Sequence, residues 1–491
     1  MPPFETIAAV DLGSNSFRLQ VARVVDDQIY PLDALKDTVR LGAGLDEAGY
    51  LNDATIARAT AALARFGERI RHLPSNVVRV VGTNTLRVAK NSATFLPQFE
   101  AALGFPIEII AGREEARLIY VGAAHSLPST REKRLVVDIG GGSTEFIIGS
   151  QYKPLKTESL FMGCVSYSLK YFPDGKISKE GLQAATLAAR TELLAIAHEF
   201  HPSEWQHAIG TSGTARSLSD ILELNDLSPS GITLAGLDKL QAIMLKAGRV
   251  DALSLNGLRA DRAPVLPGGY AIMRAVFESL GIKHMSITLG ALRDGVLYDL
   301  IGRHHQKDMR ETTVTQFKRR YQVDLQQAER VSSLANHLLT QVMPSADEHD
   351  HQLVAWAGKL HEIGLSIAHT GYNKHTGYIL EFADMPGFSR PEQQLLSRLA
   401  LAHRGKLGKV SAFLEEPLRA AQVIALRLAV VFCRSRHQES LPVLQLSGTG
   451  KAFRLALSAE WVAANPLTQT ALKLECDYWA AVAHQLNIDP I

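Results

Sequence analysis

The chain has 491 residues, is 46% hydrophobic and 21% charged, and at about 150 residues per domain has room for roughly three folded domains, not a disordered polymer. Its 52 Lys and Arg against 50 Asp and Glu leave +2, too balanced for a nucleic-acid coat protein, which shows a strongly basic domain. Cys164, Cys433 and Cys476 are too few and scattered for a disulfide framework or a four-ligand zinc site, and no charge-free apolar run is long enough to cross a membrane. The first ten residues carry no basic segment before an apolar core, so no secretory signal is expected and the chain reads as soluble and cytoplasmic.

Short β-rich runs alternate with helical patterns over the first 300 residues, which predicts α/β architecture. Strands are expected over 7–10, 18–25, 77–81, 107–110, 135–137 and 145–148, and helices over 53–71, 179–200, 214–224 and 237–247. The first notable segment is Ala9-Val10-Asp11-Leu12-Gly13-Ser14-Asn15-Ser16-Phe17-Arg18-Leu19: an apolar strand, an Asp, a small-residue turn and a second β-rich run. Such a turn by itself is satisfied as a tight hairpin. Val80-Val81-Gly82-Thr83-Asn84-Thr85-Leu86-Arg87 is another strand end with a hydroxyl-rich loop. Arg87 there is either a phosphate ligand or a solvated helix-surface charge.

Glu108-Ile109-Ile110-Ala111-Gly112-Arg113-Glu114-Glu115-Ala116-Arg117-Leu118-Ile119 ends a strand and opens a helix with acidic residues. Glutamates in a first turn complement the helix dipole. At 100° per residue, however, Glu115 falls on the stripe of Leu118 and Ile119, and Glu114 falls on the wetter side beside Arg117. A carboxylate aimed inward is costly unless used or paired, which makes Glu115 the better catalytic candidate.

Val136-Val137-Asp138-Ile139-Gly140-Gly141-Gly142-Ser143-Thr144-Glu145-Phe146 repeats the first segment 127 residues later. Two copies, each at the end of an apolar strand, indicate duplicated halves with a cleft between them. The glycines let an anion approach the backbone amides, Ser14, Asn15, Ser16 and Ser143 add donors, and a strand-end Asp is a hard oxygen ligand suited to Mg2+. A third turn, Gly210-Thr211-Ser212-Gly213-Thr214, opens a helix and serves either as an anion site or as a plain N-cap.

From Arg303 the texture changes. The segment 303–320 carries six basic and two acidic residues and reads as a linker with a basic patch, which with Lys406 and Lys409 would line a track for an extended polyanion. Helical periodicity then runs to about 436. The tail reads as strands over 443–446 and 453–457 and a helix over 468–486.

Together these segments resemble the actin-like, sugar-kinase and heat-shock-chaperone ATPase superfamily. Within it the Ser14-Asn15-Ser16 turn, Gly112-Arg113-Glu114-Glu115-Ala116-Arg117, Gly163-Cys164-Val165, Gly213-Thr214 and Gly290-Ala291-Leu292-Arg293-Asp294-Gly295-Val296-Leu297-Tyr298 are similar to the exopolyphosphatase/guanosine pentaphosphate phosphohydrolase (Ppx/GppA) family, in its long bacterial form. The resemblance implies duplicated actin-like, ribonuclease H-like domains over 1–122 and 123–300, a helical HD-like domain over 301–438 and a small α+β tail over 439–491. It implies Mg2+-dependent hydrolysis of a terminal phosphoanhydride, of inorganic polyphosphate first and of guanosine pentaphosphate as the alternative, by a homodimer that binds no nucleic acid. Glu115 corresponds to the water-activating Glu, and Asp11, Asp138 and Glu145 to acidic residues near the metal. Ser14, Asn15, Ser16, Thr83, Arg87, Gly140, Gly141, Gly142, Ser143, Ser212 and Gly213 correspond to the phosphate-binding set. A sugar or acetate kinase shares the loops, but the inward Glu115 suits a water nucleophile; a non-hydrolysing sensor would not need the full set.

His337, His361-Glu362, His369, His375 and His403 resemble an HD-type phosphohydrolase with two departures: Glu362 replaces the Asp of the His-Asp pair, and Ala429 stands where the late Asp belongs. The expectation is a structural or polyanion-binding role for these histidines, with a retained metal site as the alternative.

Overall fold

A computed structural model describes residues 6–25, 28–128, 130–304, 308–437 and 441–490. The chain divides into two compact units, Met1–Met309 and Arg310–Ile491.

The first unit contains β1 (Thr6–Leu12), β2 (Phe17–Val25), β3 (Gln28–Asp37), β4 (Val78–Gly82), β5 (Glu108–Ile109), β6 (Arg134–Ile139), β7 (Thr144–Ser150), β8 (Lys153–Leu160), β9 (His207–Thr211), β10 (Ile232–Thr233) and β11 (His284–Ile287). One sheet has the order β3-β2-β1-β4-β5 and the other β10-β11-β9-β6-β7-β8. In each, an antiparallel three-strand meander is followed by parallel partners, β4 and β5 beside β1 and β9 and β11 beside β6. The two orders superpose strand for strand, with β10 an added edge. This is the duplicated actin-like, ribonuclease H-like architecture that the sequence led us to expect.

The central strands form because their apolar runs bury both faces, as parallel sheet neighbours require. Residues 7–10 of β1 and all six residues of β6 are buried. Two cores flank the sheets, and that of the first sheet also takes in Val136, Ile147 and Ile209 from one face of the second. The same core includes Leu292, Val296, Leu297, Leu300 and Ile301 from the helix Leu292–His304, so the chain returns to the first sheet after completing the second.

Several expected bounds shift. The edge strands β3 and β8 were not expected, nor were β9 to β11. The helix expected over 179–200 ends at Leu193 and continues as turns to the buried Phe200. The expected linker is largely the helix Met309–Arg320, in which Arg310 is buried and donates to Glu392 at 2.6 Å; residues 305–307 of that segment lie outside the described residues.

Among the described residues the second unit packs the helices Met309–Arg320, Leu325–Val342, Glu348–Leu360, Tyr372–Phe382, Arg390–Ala402 and Pro417–Phe432 with a three-stranded sheet of order β12-β13-β14 (Gln445–Thr449, Ala452–Leu457, Gln485–Pro490). The tail helix is Pro466–Ala480, and the stretch expected to extend it to 486 turns into β14, parallel to β13. Phe453, Leu455 and Trp479 of the tail join Trp356 and Leu426 of the helices in one hydrophobic core.

Candidate active site

β1 and β6 carry Asp11 and Asp138 at equivalent positions, one residue before each strand ends, and each passes through a tight turn into an antiparallel partner. The registers match: Asp11 faces Arg18 across the first hairpin and Asp138 faces Glu145 across the second. The two turns meet. A Cβ on Gly141 would lie 2.9 Å from Ser14 Cβ and 3.1 Å from the Asn15 amide nitrogen, so only a residue without a side chain allows the approach.

Asp11, Ser14, Asn15, Ser16, Thr83, Glu115, Asp138, Gly140, Gly141, Ser143, Glu145, Ser212 and Gly213 line one cleft. Two of the expected residues do not. Gly142 packs against Asn84, whose Oδ1 would be 2.4 Å from an added Cβ. Arg87 lies behind the wall, donating to the Ile110 carbonyl at 2.7 Å and reaching Glu115 at 3.5 Å. Its geometry is that of a residue positioning Glu115. Buried side-chain atoms Asn15 Oδ1, Ser16 Oγ and Asn84 Nδ2 have no hydrogen-bond partner among the described residues, a cost that a polar ligand would remove.

The cleft gathers four carboxylates, all pushed toward the neutral form by burial. The Glu115 carboxyl is raised to about 7, burial acting against the lowering effect of Arg87 and with the repulsion of Asp11 and Asp138. Asp11 and Asp138 rise to about 6, burial again leading; Arg18 and Arg293 pull Asp11 down, and the Ser212 hydroxyl pulls Asp138 down. Glu145 is raised well above its ordinary value by burial and by Glu115 and Asp138, and it accepts from Ser159 Oγ at 2.9 Å. A carboxylate near neutrality in a polar cleft has the proton affinity a general base needs.

Glu114 is not on a wet face. It is 3% exposed and chelated by Arg117, whose Nε and Nη2 donate at 2.7 and 2.8 Å. Arg117 also donates to Asp299, as does Arg79. The network fastens the helix Gly112–His125, which carries Glu115, to the helix Leu292–His304. Their backbones nearly touch: a Cβ on Gly122 would lie 2.1 Å from the Ala291 carbonyl and one on Gly295 1.8 Å from the Leu118 carbonyl.

Sequence reasoning missed the cations. Arg18, Arg216, Arg262 and Arg293 all line the cleft, and none has an ion-pair or hydrogen-bond partner among the described residues. The Arg262 guanidinium lies on Gly213, where a Cβ would meet its Nη2 at 1.9 Å. Burial, together with the field of Arg18, holds Arg262 and Arg293 below the usual guanidinium value. Unpaired guanidiniums over glycine amides make a receptor for a multiply charged phosphate. Arg18 lies in the first repeated segment and Arg293 in the Gly290–Tyr298 motif, the local signals for two of the four.

For a divalent cation, no three His, Cys, Asp or Glu side chains form a ready cage among the described residues. The chemistry of Asp11 and Asp138 still suits Mg2+, which is commonly held by one or two carboxylates with water and substrate phosphate completing the shell. No helix among the described residues is long and apolar enough to cross a membrane.

Residues 20–304 match the Ppx/GppA phosphatase family, and residues 309–476 match domain III of the Ppx/GppA phosphatases. The chain is 36% identical over 487 residues to a guanosine-5'-triphosphate,3'-diphosphate pyrophosphatase of Vibrio cholerae serotype O1, covering 98% of each chain. Among solved structures it is similar to an exopolyphosphatase from Cytophaga hutchinsonii, with a TM-score of 0.55 and 23% identity over 60% of this chain and 98% of that one. The Aquifex aeolicus PPX-GPPA enzyme gives a TM-score of 0.50 and 25% identity over 60% and 99%. With the duplicated fold, the paired strand-end aspartates and the buried Glu115 already in place, these similarities show that the chain belongs to the Ppx/GppA phosphatase family and is a hydrolase of phosphoanhydride bonds.

Proposed function

We propose that the cleft removes the terminal phosphate of a multiply charged phosphoanhydride, with Glu115 positioning and deprotonating the attacking water. The observation that carries this reading is Glu115 itself, buried with a carboxyl near 7 on the wall of the cleft that the glycine turns also line. Phosphoryl transfer needs a positioned nucleophile and neutralised equatorial oxygens more than it needs covalent chemistry. The glycine turns and Arg18, Arg216, Arg262 and Arg293 would neutralise the phosphates. Asp11, Asp138 and Glu145 would hold Mg2+, which when bound supplies further charge neutralisation.

Inorganic polyphosphate ranks first from the sequence, and four unpaired guanidiniums in one cleft support a repeating anion. Guanosine pentaphosphate is a second substrate supported at least as well, by whole-length similarity to the Vibrio enzyme. The proposal extends to a homodimer in the cytoplasm, to an HD-like helical domain and to domain boundaries near 122, 300 and 438, which rest on the family resemblance.

The test is phosphate release from long-chain polyphosphate, guanosine 5'-triphosphate 3'-diphosphate and ATP, with Mg2+ and with a chelator. Release from one or both of the first two, dependent on Mg2+ and at least tenfold faster than from ATP, is the expected result. Glu115→Gln should fold and lose at least about 100-fold in turnover. Near-wild-type release by that variant would remove Glu115 from the mechanism, and light scattering of the purified chain checks the dimer.

A further inference from the structure

The second unit contains a cavity of about 370 Å3, within the range of small-molecule sites. His361 and His403 form part of its wall, each the residue that closes a helix, Glu348–Leu360 and Arg390–Ala402. Both are 1% exposed, and their rings stand edge to face 5.3 Å apart. Each Nδ1 meets the carbonyl three residues back, Gly358 O at 2.7 Å and Ala400 O. A carbonyl only accepts, so each Nδ1 carries the ring proton and each Nε2 presents a lone pair. His403 Nε2 is buried without a hydrogen-bond partner among the described residues. His361 Nε2 is 3.8 Å from Glu362, too far for a hydrogen bond.

The same cavity is lined by Arg404, Arg434, Tyr372 and Tyr478. Arg404 stacks 4.7 Å over the Tyr372 ring, and neither it nor the exposed Arg434 has an ion-pair partner among the described residues. The two carboxylates of the lining are already neutralised, Glu362 by Arg436 and Glu475 by Arg427. The cavity therefore offers free positive charge, buried acceptors and aromatic faces together. A bare anion would meet the histidine lone pairs, and a metal ion would meet the guanidiniums. A ligand that satisfies both sets has phosphate at one end, N–H or O–H donors at the other and a flat ring between.

We propose that this cavity binds a purine nucleoside phosphate, its phosphate at Arg404 and Arg434 and its donor groups at His403 Nε2. The site lies within the second unit, separate from the cleft residues, and does not depend on which substrate the cleft takes.

The probe is N-methylanthraniloyl-GMP, a monophosphate with no anhydride for the cleft to hydrolyse, titrated by fluorescence into the full chain. Arg404→Ala/Arg434→Ala should weaken binding at least tenfold, His403→Phe should do the same, and the cleft variant Arg262→Ala should bind within twofold of wild type. Thermal melts check folding; if His403→Phe melts early, the Arg404→Ala/Arg434→Ala pair decides alone. Loss of binding in Arg262→Ala with retention in the arginine pair would place the nucleotide in the cleft and overturn the proposal. Displacement of the probe by inorganic phosphate as effectively as by unlabelled GMP would also overturn it, as would absence of probe binding alongside a zinc ion held by wild type and lost in His403→Phe.

Discussion

Burial raises the Glu115 carboxyl to about 7, the range a water-activating base needs, and this environment fixes the direction of two measurements. The proposed role requires the ionised carboxylate, so kcat/KM should rise with pH through about 7 and lie low below about 6, where Asp11 and Asp138 also take up protons. Stability should move the other way. These carboxyls have folded values above their ordinary ones, so the native chain holds more protons than the unfolded chain. The resulting stability is fully present below about 4 and is lost as pH rises through 6 to 7. Glu115→Gln removes one such group, so at pH 8 it should be more stable than wild type by roughly 1–3 kcal/mol, the difference vanishing near pH 4. Denaturant titrations at the two pH values measure this, and equal stability at both would mean that Glu115 does not carry the strain. Glu115 was legible in the sequence because a strand end, a glycine turn and a helix start stand next to one another. Glu114 was misplaced because every residue from Glu114 to Tyr120 is buried, and a helix with no wet face gives periodicity nothing to separate. The four cleft arginines were illegible for another reason. They come from β2, from the helix Ser212–Leu224, from the loop before Ala263 and from the helix Leu292–His304, and only the tertiary fold brings such distant positions together. Arg262→Ala should raise KM at least tenfold and leave the pH midpoint of activity in place, as steady-state kinetics across pH will show.

The duplicated hairpins show how one element has taken two roles. Position for position, Arg18 in the first copy corresponds to Glu145 in the second, each opposite the strand-end Asp. One copy thus places a cation in the cleft and the other a carboxylate near Glu115, an asymmetry that the proposed hydrolysis would use and a symmetric binding site would not. The hairpins were legible because their central strands are apolar and their turns small. The flanking edge strands were not: β3 (QIYPLDALKD) and β8 (KPLKTESL) have no fully buried residue, and edge strands keep polar residues and prolines that erase the alternation. The placement of Glu115 depends on a further pair of elements, the close crossing of Gly112–His125 with Leu292–His304. Gly295→Ala puts a methyl group into the Leu118 carbonyl, which overpacking costs about 1–3 kcal/mol. The variant should melt several degrees lower and lose activity beyond that of a surface control, because the helices separate beneath the carboxylate proposed to activate water. An unchanged melt would show that the crossing is loose.

At the scale of the whole molecule, composition allowed several domains but could not say which segments share a core. The tail looked separable, with its own strands and helix, yet Trp479 is fully buried in the core that also holds the helices of the second unit, and Arg427 is buried with Glu475 across the same packing. The first unit has its own internal fastening in Asp299, which takes hydrogen bonds from the buried Arg79 and Arg117 at 2.7 and 2.5 Å. Each unit can therefore be loosened by a single substitution. Trp479→Ala removes a large side chain from a dry core, at about 3–5 kcal/mol. Asp299→Ala strips two buried guanidiniums of a shared partner, at a similar cost. Hydrogen exchange measured across the chain separates their effects. Trp479→Ala should speed exchange in the helices between 325 and 432 and in β12 to β14 while the strands of the first unit stay protected, and Asp299→Ala should do the reverse. If either substitution speeds exchange equally in both units, the chain unfolds as one cooperative body. If the tail alone loses protection in Trp479→Ala, the core it shares with the helices is not what holds them.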